Sequence, residues 1–318
     1  MFDSAFRTLF LSTPAKLRLE NNHLCITQEQ KENVKIPLSD ILCIILESHQ
    51  ITFTNSLLNA FAYHKIVVFT CDEHHLPSGI FIPFLGHYKS LSILQSQIAL
   101  SKQRKAILWQ QIIKSKINNQ ASLLKMLDKD KYTQLESLSK SVNLSDSSNN
   151  EAKAAAIYFK SLFGRDFSRK IDLDNAIGTI NAALNYGYAI VRGVITRVLC
   201  ASGLNPVLGL FHCNQFNSFN LADDLIEPYR IFVDSLVFHM KECGDLGDNL
   251  GLADRLKLTK LLNASILIDS KIYPLNRAVV ISVQSLVKSF EKDYKLKLPL
   301  FEENKSNGRE VYESISYV

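Results

Sequence analysis

Along the first ~85 residues, apolar and polar positions alternate in short runs separated by turn residues. This period-two pattern predicts strands over Arg7–Leu11, Lys16–Glu20, His23–Thr27, Val34–Ile36, Ile41–Leu46, Ile66–Thr70 and Gly79–Phe84. One segment departs from it. In Asn55–His64 the residues Leu57, Leu58, Phe61 and Ala62 fall at helical spacing, and Thr54 is placed to cap that helix. Two small packed sheets with one inserted helix account for the region. Pro83 and Gly86 mark its end, which divides the chain into a β domain over residues 1–85 and a helical domain over residues 86–318, an α+β fold.

From Lys89 the period becomes helical. Lys89–Leu127 suits one or two amphipathic helices and holds seven Lys/Arg with no acidic residue. Ser139–Asn150 is polar and turn-forming, and runs into a helix, EAKAAAIYFKSLF, that Asn149 or Asn150 could cap, with Glu151 in its first turn. Asp174–Cys200 reads as one long helix. Its glycines, Gly178, Gly187 and Gly193, imply close approach of another helix or of a ligand backbone. Further helical patterns cover Tyr229–Cys243, Asp254–Asn263 and Leu275–Tyr294, and the tail from Phe301 has no periodicity.

Charge sharpens this division. Residues 1–88 carry 6 Lys+Arg against 8 Asp+Glu, whereas residues 89–318 carry 30 against 23. The helical part is the basic part, which favours a polyanionic partner there. Six scattered cysteines without a CxxC pair argue against structural zinc and for free thiols. No apolar run approaches a membrane span, and the N-terminus lacks the basic lead of a signal peptide. A cytoplasmic protein with no membrane partner is expected.

The chemistry concentrates in Gly209–Arg230, GLFHCNQFNSFNLADDLIEPYR. His212 follows a Gly-bounded turn, and Asp223, Asp224 and Glu227 lie in an apolar-periodic segment where Asp224 and Glu227 share a helix face. Pro228 interrupts that pattern: it either kinks the helix at Glu227 or forces a restart near Asp224. Glu151, His212 and Glu227 together, incompletely coordinated, suit Mg2+ or Mn2+.

Three blocks in order, Glu151–Arg169, Asn181–Arg192 (with its NYGYAIVRG) and Gly209–Asp234, resemble the CRISPR-associated adaptation integrase, the universal spacer-acquisition nuclease. The wording NQFNSFNLADDLIEP is most similar to the version found beside type II effectors. Cys213, where many relatives have histidine, and Ile231, where proline is frequent, depart from the pattern. The resemblance implies that Glu151, His212 and Glu227 bind one Mg2+ or Mn2+, with Asp224 a water-mediated or supporting acid. It implies an N-terminal β-sandwich that joins a homodimer, an all-α catalytic domain, and a small ferredoxin-like partner protein. The effector nuclease is a further candidate partner.

The expected reaction is attack by the 3′-hydroxyl of short duplex DNA on a phosphodiester of the CRISPR repeat array, with activity also on branched DNA. Transesterification needs no nucleotide energy source, in keeping with the lack of a GxxxxGK[ST] loop. Arg165, Arg169, Arg192, Arg230, Lys102, Arg104 and Lys105 are candidate DNA contacts. Arg165, Arg169 and Arg230 could equally pair with the site's carboxylates, Asn185, Tyr186, Tyr188 and Arg192 could equally be interhelical contacts, and Trp109 reads as helix packing. Two other classes remain: a catalytically inactive DNA-binding subunit of the same assembly, and an unrelated metal-dependent phosphate-ester hydrolase. The lack of a His-Asp doublet or clustered histidines near the acids disfavours the hydrolase.

Overall fold

A computed structural model describes residues 5–84, 87–169, 176–290 and 294–302 of the chain. The first strands are β1 (Arg7–Leu11), β2 (Ala15–Glu20), β3 (His23–Thr27), β4 (Val34–Pro37), β5 (Ile41–Leu46), β6 (Ile51–Phe53), β7 (Val67–Cys71) and β8 (Pro77–Phe81), with helix α1 (Asn55–Tyr63) between β6 and β7. They form two four-stranded sheets, ordered β1-β5-β7-β8 and β4-β3-β2-β6. In the first, β1, β5 and β7 run parallel and β8 antiparallel. The short β6, absent from the alternation pattern, pairs parallel with β2. Thr54 caps α1 as expected, its hydroxyl accepting the Leu57 N–H at 3.4 Å.

Strand β5 shows why the two parts are continuous. All its residues, ILCIIL, are buried, as expected of a parallel strand covered on both faces. Ile44 and Leu46 join the core shared by the second sheet and α1, while Cys43 and Ile45 join the core of the helical part. The first sheet is therefore a shared wall rather than the edge of a separate unit.

The helical part comprises α2 (Ser90–Ile98), α3 (Lys102–Met126), α4 (Tyr132–Lys140), α5 (Asn150–Phe163), α6 (Ala176–Ala201), α7 (Asn220–Ile226), α8 (Arg230–Glu242) and α9 (Leu252–Lys260), then β9 (Ser265–Ile268), β10 (Lys271–Pro274) and α10 (Leu275–Ser289). The basic stretch is two helices, split where the Ser101 hydroxyl caps α3 by accepting the Arg104 N–H at 3.1 Å. The expected start of the long helix at Asp174 lies outside the described residues, as does most of the tail from Phe301. Close approach explains two of the glycines in α6. A Cβ at Gly187 would stand 2.5 Å from Val233 Cγ1 on α8, and one at Gly193 would collide with the Phe69 ring on β7, a strand rather than the expected helix or ligand.

One expectation is corrected. The region after the β domain is not all helical, because β9 and β10 form an antiparallel hairpin. Asp269 and Ser270 turn it with positive φ values of 53° and 61°, the left-handed pair that a two-residue hairpin requires. Among the described residues, no helix is long and apolar enough to cross a membrane.

Candidate active site

Glu151 owes its position to an N-terminal cap from outside its helix. Asn149, an expected cap, sits in the left-handed region with no side-chain cap bond. The Asp146 carboxylate does the capping instead, accepting the N–H groups of Asn150 and Glu151, each at 2.9 Å. The Glu151 side chain, 26% exposed, then projects from the first turn of α5 toward α3.

His212 is set by a second buried carboxylate. Asp224, on α7, is fully buried and accepts the backbone N–H groups of Leu210 (2.5 Å), Phe211 (3.2 Å) and His212 (3.1 Å). The same group bonds His212 Nδ1 at 2.7 Å. That bond places the ring proton on Nδ1 and leaves Nε2 with its lone pair, the arrangement found behind metal-binding histidines. The bond to Asp224 raises the imidazole pKa, against the effect of burial. Gly209 makes the wrap possible: a Cβ there would stand 2.9 Å from Asp224 Oδ2 and collide with the His212 carbonyl. Trp109, buried on α3, stacks on Phe211 at 4.4 Å and meets the His212 ring edge-on at 5.5 Å, so its packing role extends to the histidine.

Glu227 stands where the helix breaks. Pro228 separates α7 from α8 by a 3-10 turn over Glu227–Tyr229. The helix begins at Asn220 rather than near Asp224, and Glu227 opens the 3-10 turn that interrupts it, where it is buried. Arg230 Nε donates to Glu227 Oε1 at 2.9 Å. Lys116 Nζ, from α3, approaches Glu227 Oε2 at 2.5 Å and donates to Glu151 Oε1 at 2.7 Å. Two glutamates from different elements thus converge on one ammonium. Its contact with the buried Glu227 is an ion pair, so both carboxylates face the same charge. Burial opposes charge on Glu227, yet Arg230 and Lys116 overcome it and hold the carboxyl down at about 2. Burial likewise opposes charge on Lys116, and Glu227 and Glu151 more than restore it, raising its pKa.

Two carboxylates aimed at a single positive charge suit a hard divalent ion, and the charge of Glu227 is felt at His212. Among the described residues, however, no three His, Cys, Asp or Glu side chains are gathered closely enough to hold a metal ion, so His212 is not brought together with Glu151 and Glu227 as a ligand set. The cation between the glutamates is Lys116.

The candidate DNA contacts scatter. Arg230 also lies over the Tyr188 ring at 4.5 Å, and Arg169 bonds Asn181 and Asn185 at 2.7 and 2.6 Å. Arg192 lies over Phe219 at 4.8 Å and pairs with Asp223 at 3.6 Å. Lys105 donates to the Gly209 carbonyl at 3.3 Å, at the turn before His212. Arg104 is engaged by the Ser289 and Tyr294 carbonyls at 3.0 and 3.1 Å, whereas Lys102 and Arg165 are exposed. In the sequence Lys116 is one base of a basic stretch. A sharper signal was available: it lies one turn from Ile112 and next to Ile117, on the buried stripe of α3, where a lysine requires an anionic partner.

A family model described as CRISPR associated protein Cas1 matches residues 9–249, most of the strands and helices above. The chain belongs to the Cas1 family. It is 38% identical over 287 residues to the CRISPR-associated endonuclease Cas1 of Neisseria meningitidis serogroup C (strain 8013), spanning 90% of this chain and 91% of that one. Among solved structures, a casposase bound to integration product superposes with a TM-score of 0.74 at 17% identity, covering 98% of this chain and 96% of that one. A Cas1 protein from Thermotoga maritima gives 0.72 at 15% identity, over 91% and 99%.

Proposed function

We propose that the chain is a divalent-metal-dependent DNA endonuclease and integrase of CRISPR adaptation, joining 3′-hydroxyl ends of short duplex DNA to the repeat array. The observation that carries this reading is the convergence of Glu151 and Glu227, at 2.7 and 2.5 Å, on one cation. Glu151, His212 and Glu227 would hold Mg2+ or Mn2+, with Asp224 fixing the tautomer of His212. When bound, the ion neutralises charge on a phosphodiester and lowers the pKa of the attacking hydroxyl. His212 then acts as a neutral nitrogen donor rather than a general base. Arg230, which already balances Glu227 and is partly exposed, keeps positive charge beside the carboxylates for a phosphate.

The Neisseria relative, an endonuclease, and the casposase, bound to an integration product, support the DNA reading. A further structure at TM-score 0.67 and 17% identity, the Cas6-RT-Cas1–Cas2 complex, supports a small partner of the Cas2 kind. The β region would join the homodimer as a sandwich.

Strand transfer on branched DNA with Mg2+ or Mn2+, comparing the natural chain with His212→Ala, tests this. Metal-dependent joining that disappears in the variant is expected. One observation favours a second reading: Lys116 holds the cation position, as it would in a catalytically inactive DNA-binding subunit. Tight DNA binding with no joining by either protein would establish that reading instead.

A further inference from the structure

Lys116 is an unusual neighbour for two metal-binding carboxylates. It lies on the apolar stripe of the longest helix of the basic stretch, between Ile112, Ile113 and Ile117, and its side chain is only 10% exposed. A lysine in such a place requires anionic partners, and it has two, from α5 and from the break between α7 and α8. With Arg230 on the other oxygen of Glu227, the four groups form a closed set of two positive and two negative charges. Without the ammonium, the half-buried Glu151 and the buried Glu227 would face each other as like charges. The pair therefore stays assembled in the metal-free protein because Lys116 bridges it.

The same position is the one a divalent ion needs. Mg2+ binds carboxylate oxygens at about 2.0–2.1 Å, inside the 2.5–2.7 Å that the ammonium now keeps from Glu227 Oε2 and Glu151 Oε1. Two cations cannot share those oxygens at such range, because their mutual repulsion in a buried site is strong. A lysine nevertheless differs from a fixed blockade: its four-carbon stem is flexible and its head is a rotatable point charge, so it can withdraw while its helix stays in place.

We infer that Lys116 is a tethered counter-cation that preassembles Glu151 and Glu227 and competes with the divalent ion for them, so that metal loading is an exchange in which its ammonium leaves both carboxylates. Lys116 is a positioning residue in this scheme. The inference rests on the metal-binding reading above. It goes beyond that reading by making metal affinity a property of a residue that is not a ligand, and by reconciling a convergent donor set with the absence of a finished cage among the described residues.

The test uses the full chain and Mn2+ alone. Isothermal titration and thermal melting compare the natural protein with Lys116→Met, which keeps length and loses charge, and with Lys125→Met, an exposed lysine of the same helix, as control. Lys116→Met should bind Mn2+ at least about tenfold more tightly, melt lower without metal, and gain more in melting temperature on adding it; affinity is read here as an equilibrium constant. The control should match the natural protein. Equal or weaker Mn2+ binding by Lys116→Met overturns the inference and leaves the metal-binding reading standing. No binding by any of the proteins overturns both. Binding by Lys116→Met alone supports the competition and shifts the natural chain toward the inactive subunit. If Lys116→Met fails to fold, a Mn2+-soaked crystal of the natural protein decides: Lys116 Nζ should have left both glutamates, and an ion seated with those two contacts intact refutes the exchange.

Discussion

Glu227 and Asp234 lie seven residues apart across the break into α8, and both are buried, yet their surroundings drive them in opposite directions. Glu227 is partnered by the cations Lys116 and Arg230 and is held at about 2. Asp234 is partnered by neutral hydroxyls: Tyr158 donates to it at 3.0 Å and Tyr188 donates to its other oxygen. Burial dominates there and pushes its pKa up to about 6. The lesson is that burial raises both groups, and the kind of partner decides whether it prevails. The end of the network facing the candidate site stays anionic far into acid, and the end facing the core titrates at about 6, above an ordinary aspartate. Arg230, which bonds Glu227 and lies over the Tyr188 ring, links the two.

The widest separation between the two carboxylates should appear when each is made an amide. Glu227→Gln leaves Lys116 and Arg230 with too little negative charge in a buried setting. It should cost roughly 3–5 kcal/mol in urea unfolding at pH 7. Strand transfer on branched DNA should fall by at least about a hundredfold in the same variant. Equal costs for Glu227→Gln and Asp234→Asn at pH 7 would erase the distinction.

Asp234→Asn tests the other side through pH. The folded-state pKa of Asp234, about 6, exceeds the ordinary value of 3.8, so the folded protein binds the proton more tightly than the unfolded chain between those limits. Its protonation therefore favours the fold fully below about pH 4, and this contribution disappears as pH rises through about 6. The difference amounts to roughly 3 kcal/mol. Natural protein should lose stability relative to Asp234→Asn across that window, as read from urea midpoints. Glu227 contributes in the opposite sense and in a lower window: its stabilisation is present above 4.5 and lost as pH falls toward about 2. Parallel stability curves for natural protein and Asp234→Asn between pH 4 and 6 would contradict the raised pKa.

Asp224 shows a third kind of partnership, with three backbone N–H groups and one imidazole. Asp224→Asn keeps the volume but loses the charge that orients His212. Mn2+ affinity should weaken by about 10–100-fold, the usual effect of removing the carboxylate behind a metal-binding histidine. Unchanged affinity would mean that Asp224 serves the turn and not the ring.

These contrasts also mark what could be read from residues alone. Arg7–Leu11, His23–Thr27 and Ile41–Leu46 match their strands because alternation or an unbroken apolar run reports burial directly. The three-residue β6 is too short to show a period, and the β9–β10 hairpin turns on Asp-Ser rather than on the Asn-Gly or Asp-Gly that advertise such turns. In the site, Glu151, His212, Asp224 and Glu227 were named because ligand-type side chains stand out in short motifs. Lys116 and Asp146 were not, because their importance depends on contacts across 35 residues to Glu151 and on a helix end five residues away. Tyr188 stands out as an interhelical contact, but its partnership with Asp234 and Tyr158 is invisible in the chain for the same reason: the three come from α6, α8 and α5.

Asp146 offers the smallest and cleanest extension of the comparison, because its partners carry no formal charge and belong to the backbone. It accepts the first free N–H groups of α5 and sits at the helix end where negative charge is favoured. Asp146→Ala should cost about 1 kcal/mol, as other lost caps do. Asp146→Asn keeps an acceptor oxygen and should recover part of that cost. The consequence for the site is positional, since Glu151 is one of the two residues whose N–H groups are held. In Asp146→Ala the first turn of α5 should fray, and Mn2+ affinity should weaken by a fewfold without change in the urea slope. Hydrogen exchange at the Asn150 and Glu151 amides checks this independently of any activity. Retained protection at both amides in Asp146→Ala would show that α5 starts correctly without its cap, and that Glu151 is placed by Lys116 alone.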